Sequence, residues 1–115
     1  MIDLNKIRED LVALPDMKRK QALIAVEKRK KMDEAKLRLD VAIGMALSTS
    51  NKANATEKKA FAVNQSEKEA EEHIKAKYKY EIANAEFNFV DDKFISTRKL
   101  ASLEEKMMNS NISGF

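Results

Sequence analysis

The stretch AKYKYEIANAEFNFVDDKFISTRKLA, residues 76–101, decides the fold. Ala76, Tyr80, Ala83, Phe87, Val90, Phe94, Thr97 and Ala101 recur there in strict alternating steps of four and three. That spacing keeps one seam along a helix facing a partner helix. Upstream, Ile24, Ala25, Met32, Ala35, Leu39, Ala42 and Ala46 form a second such seam, interrupted near its start by Gln21 and Lys28. Two seams of this kind can zip together, with small residues on one helix receiving the rings of the other.

The breaks between the seams divide the chain. Asp3 can cap a short helix over 4–14, in which Leu4, Ile7, Leu11 and Leu14 recur at helical spacing. Pro15 pushes Leu14 out of helical geometry, so a turn is expected there. Pro15 itself suits the first turn of the next helix, expected over 15–47. Residues 48–53 are a polar connection. Asn54 with Glu57, and Ser66 with Glu69, read as capping boxes. They open a short helix over 55–63 and a long one over 66–108, and 109–115 reads as a frayed tail. The expected fold is all-α: one domain over 1–115, a long antiparallel, coiled-coil-like hairpin with a short N-terminal helix and a short connecting helix.

Composition agrees. The 115 residues are 36% charged and 43% hydrophobic, with two glycines and one proline, a helix-rich mixture. With no cysteine there is no thiolate nucleophile, disulfide framework or Cys-based zinc site. No leader pattern opens the chain and no stretch has the 18 or so uncharged apolar residues of a membrane span. A cytoplasmic protein without membrane contact is therefore expected.

Each long helix also carries a second apolar stripe. Leu23, Val26, Leu37, Val41 and Met45 lie roughly opposite the first seam. Ile74, Tyr78, Ile82, Ala85, Phe89, Leu100, Leu103 and Met107 do the same on the last helix. A two-helix hairpin buries one face of each helix, and the short N-terminal helix can cover only part of the rest. Each large apolar side chain left in water forfeits about 1.5–3 kcal/mol. The stripes thus imply another chain, with a two-fold homodimer forming a helical bundle as the expected assembly; a different protein covering the stripe and a monomer folded back on its N-terminal helix are the alternatives.

Little points to chemistry. His73 is the single histidine, and Glu69 lies one turn before it, but no second histidine joins them. Asp91 and Asp92 are neighbours that point about 100° apart on a helix. Glu71-Glu72 and Glu104-Glu105 read as solvated flanks. Neither a glycine-rich phosphate loop nor a metal-spacing motif is present. The reading is a non-enzymatic protein without cofactor, metal or catalytic residues.

Lys18, Arg19, Lys20, Arg29, Lys30 and Lys31, with Lys28 between them, form a basic cluster that could neutralise phosphates. These residues spread around the helix, which favours a solvated surface over a phosphate contact. Tyr78, Tyr80, Phe87, Phe89 and Phe94 sit at core or interface spacing rather than as a ligand pocket.

The segments Asp33-Glu34-Ala35-Lys36-Leu37, Asn54-Ala55-Thr56-Glu57-Lys58, Ala85-Glu86-Phe87, and Phe94 with Arg98-Lys99-Leu100-Ala101 resemble small helical proteins from the early regions of tailed bacteriophages. The resemblance spans about residues 30–101. It implies a phage or prophage setting, early expression among replication and recombination genes, and the host cytoplasm, and it transfers no functional residues. The expected role is an oligomeric helical adaptor acting on a host or phage replication, recombination or host-defence protein. A nucleic-acid-binding accessory protein using 18–31 and a structural scaffold bundle are the alternatives.

Overall fold

The computed structural model describes residues 3–51 and 54–113. Its elements are three α-helices: α1 (Leu4–Thr49), α2 (Ala55–Gln65) and α3 (Glu67–Ser113). No strand occurs among the described residues. Helix α1 packs against α3 as a helical hairpin.

Helix α1 starts where Asp3 predicts. The Asp3 carboxylate accepts from the backbone N–H groups of Asn5 (3.0 Å) and Lys6 (3.2 Å), two donors that the helix leaves without internal partners. It then runs straight past Pro15, which corrects the expected turn and the separate N-terminal helix. The reason is burial. A proline inside a helix costs about 3 kcal/mol, through the lost N–H donor and the clash with the preceding turn. Ile7 and Leu14 are 7% and 1% exposed, and burying two such side chains returns about 3–6 kcal/mol. The seam runs without interruption through Ile7, Leu11, Leu14, Lys18, Gln21, Ala25, Lys28, Met32, Ala35, Leu39, Ala42 and Ala46. All of these positions are buried or half-buried. Lys28 and Gln21 are members of it rather than gaps.

At its far end α1 reaches Thr49, two residues beyond expectation. The hydroxyls of Ser48 and Thr49 both donate to the Met45 carbonyl, at 2.9 and 3.0 Å, and the Thr49 hydroxyl also reaches the Ala46 carbonyl at 3.4 Å, one of the last four acceptors that the helix leaves free. Gly44 lies within the helix, and a Cβ placed there would meet nothing within 4 Å. Of the polar connection, Lys52 and Ala53 lie outside the described residues.

Asn54 caps α2 as expected, its side chain accepting from the Glu57 N–H at 2.8 Å. Ser66 does not repeat the device. Its backbone (φ −103°, ψ 16°) closes α2, and its buried hydroxyl donates backward to the Ala62 carbonyl at 2.7 Å. A capping side chain needs the extended backbone that Asn54 has and Ser66 lacks. The capping box with Glu69 is therefore absent, and Glu69 Oε2 is buried without a hydrogen-bond partner. Only the Ser66 carbonyl joins α3, accepting from Ala70 at 2.9 Å. Helix α3 continues to Ser113, so 109–113 are helical rather than a frayed tail. Gly114 and Phe115 lie outside the described residues.

The sequence reads as one domain, and packing divides it into two compact units. The first joins α1 up to Ile24 with α3 from Asn84 onward; the second is Ala25–Ala83. In the first, Ile7, Leu14, Val90 and Thr97 are buried. Its antiparallel pairing shows in a cleft lined by Leu4, Ile7, Arg8 and Leu11 from α1 and by Ala101, Glu104, Glu105 and Met108 from α3. Among the described residues of the second unit every buried apolar one is an alanine: Ala25, Ala35, Ala46, Ala62 and Ala83. Ser66 is buried with them.

Candidate interaction surfaces

Three surface features follow from these helices. The first is the pair of outer apolar stripes, one on α1 and one on α3. Leu23, Val26, Leu37, Val41, Met45, Ile74, Tyr78, Ile82, Phe89, Leu100, Leu103 and Met107 are all exposed, and Ala85 is exposed beside them. Phe89 is 71% exposed. Among the described residues none serves as the cover expected of the N-terminal segment, because residues 4–14 belong to α1 and bury Ile7 and Leu14. In the second unit a shallow cleft of about 460 Å³ joins Leu37, Val41, Ala42 and Met45 of α1 to Lys68, Glu69 and Glu72 of α3.

The second feature is the basic cluster, which the structure divides. Lys18 Nζ lies 2.7 Å from the Asp91 carboxylate and 5.8 Å from the centre of the Phe94 ring. Arg98 approaches the same ring at 5.7 Å. An ammonium so placed gains both a charge-assisted hydrogen bond and a cation–π contact. Lys18 is thus a seam residue tying α1 to α3. Lys31 meets Glu27 at 3.3 Å on its own helix. Arg19, Lys20, Arg29 and Lys30 are exposed.

The third feature needed the fold to be seen. Lys75 and Lys79 of α3 line one cleft with Lys28 and Lys31 of α1. These pairs are distant in sequence, and only the register of the hairpin unites them. Their sequence signal is the alternation Lys75-Ala76-Lys77-Tyr78-Lys79 opposite the acid-free run Lys28-Arg29-Lys30-Lys31.

The carboxylates and the histidine form no comparable cluster. Asp91 is occupied by Lys18, Asp92 is exposed, and His73 is half-buried on the α3 seam. Among the described residues no group of three or more His, Cys, Asp or Glu side chains is placed to hold a metal ion, and no helix is long and apolar enough to cross a membrane. No family model matches this chain, and neither a curated protein nor a solved structure matches it. The class that the fold itself defines is an all-α helical hairpin.

Proposed function

We propose that this protein is a non-enzymatic helical interaction protein whose outer apolar faces pack against a second copy of the same chain. The supporting observation is surface area. The chain exposes 9055 Å², whereas a folded monomer of 13.1 kDa exposes about 6,400 Å². The excess is well above the roughly 800 Å² per partner of a stable interface. Twelve large apolar side chains, named above, are among the exposed residues. Soluble monomers rarely expose contiguous apolar patches beyond a few hundred Å². A second copy is the economical occupant, because both long helices present such a face and a two-fold pairing satisfies both chains at once. In the phage setting that the resemblance implies, the assembled dimer acts as an adaptor for a replication, recombination or host-defence protein.

Light scattering across a concentration series tests the proposal. The expected result is a dimer that becomes a monomer in Ile82→Glu/Phe89→Glu, with helix content by circular dichroism retained. A wild-type chain that is monomeric at all concentrations, or a variant of unchanged mass, overturns it.

A further inference from the structure

The lysine cleft goes beyond dimer formation. It has a volume of about 220 Å³ and is lined by Lys28, Lys31, Lys75 and Lys79 together with Glu72 and Ala76. Four ammonium groups face one carboxylate there, and Glu27 offsets Lys31 alone. Arg29, Lys30 and Lys77 add cations within the two runs, and Glu27, Asp33, Glu34, Glu71, Glu72 and Glu81 bound them along the helices. Residues 28–31 and 75–79 hold seven lysines and arginines and no acid. Gathering like charges is unfavourable unless an anion shares the space. Nothing in the fold demands it, since Lys31, Lys75 and Lys79 are exposed and outside the apolar seam.

We infer that this cleft binds the phosphate backbone of a nucleic acid. Its composition selects that ligand among anions. Readers of single phosphorylated residues rely on arginine, whose planar fork grips one phosphate through two bonds. Lysine is a point charge without directional preference. A cleft lined by lysines alone among cations suits a continuous row of phosphates, which duplex DNA supplies at one charge per about 1.7 Å of axis. Lys75 and Lys79 lie one helical turn apart, about 6 Å along α3, so neighbouring phosphates can engage both. Binding of this kind follows charge spacing and is indifferent to base sequence. The lysines of the cleft are separate from the outer apolar stripes, so this inference and the dimer stand or fall independently.

The test is fluorescence anisotropy with a short labelled mixed-sequence DNA, duplex and single-stranded, titrated with the full chain at low and at raised salt. Affinity is expected to fall linearly with salt on logarithmic axes. Lys75→Gln/Lys79→Gln is expected to weaken binding at least about tenfold at low salt and to lower the salt slope by about 2. Lys93→Gln/Lys99→Gln removes the same charge from exposed positions in the other unit and is expected to change affinity by less than about twofold. Should the α3 double variant lose helix content, Lys28→Gln/Lys31→Gln reads the same cleft from α1. Absence of binding at low salt overturns the inference. So does an equal loss in the Lys93/Lys99 variant, which makes net charge the cause, or tighter binding of a phosphopeptide than of the DNA.

Discussion

The two units use the same pair of helices and build their interiors from different materials. The first closes over Ile7, Leu14 and Val90; the second closes over Ala25, Ala35, Ala46, Ala62 and Ala83. Large side chains stabilise by the apolar area they remove from water, about 25 cal/mol per Å². Alanine removes little, but it loses no side-chain entropy and lets two backbones approach closely. One unit is therefore held by volume and the other by proximity. The second unit also has an extra helix: α2 adds buried Ala62 and half-buried Phe61 to an interior that half-buries Met32, Leu39, Ile43 and Tyr80.

The sharpest way to break this contrast is to exchange sizes. Leu14→Ala leaves a void in the first unit and should cost about 2–5 kcal/mol, read from urea denaturation. Ala35→Leu does the reverse in the second unit. Ala35 is 2% exposed, so added methylenes must push the helices apart, at about 1–3 kcal/mol. If Ala35→Leu proves neutral or stabilising, close approach is not what holds the second unit. Asn54→Ala makes the smallest cut. It removes the 2.8 Å cap of α2 at about 1 kcal/mol, and the loss of amide-exchange protection should centre on Ala55–Gln65.

The seams behind this contrast could be read in advance, but the division into two units with different interiors could not. Both seams were legible because four-and-three spacing is a local property of the chain. What local reading missed was the seam's continuation through Pro15. Ile7, Leu11, Leu14 and Lys18 already stand in the same register as Ala25 and Met32, yet a proline rule based on neighbouring residues predicts a turn. Burial of Leu14 overrides it. Ser66 shows the converse: its residue type fits a cap, while its backbone, set by the closure of α2, does not. Of the candidate surfaces, the apolar stripes were legible because exposure opposite a seam follows from helical geometry. The fate of the basic residues was not. Whether Lys18 meets a phosphate or Asp91, and whether Lys28 is joined by Lys75, depends on which turn of α3 lies beside which turn of α1, and the hydrophobic pattern alone specifies that only to within a heptad.

The antiparallel register also orders the formation of the fold in time. Near the corner, Ala42 and Glu69 line one cleft across a separation of about 27 residues, whereas Ile7 and Glu104 meet across about 97. Closing the longer loop directly carries about 1 kcal/mol more entropic cost. Chains with such a choice begin where contacts are close in sequence. The alanine-rich end is thus the expected starting turn of a zipper, and the large side chains of the open end its last teeth to engage.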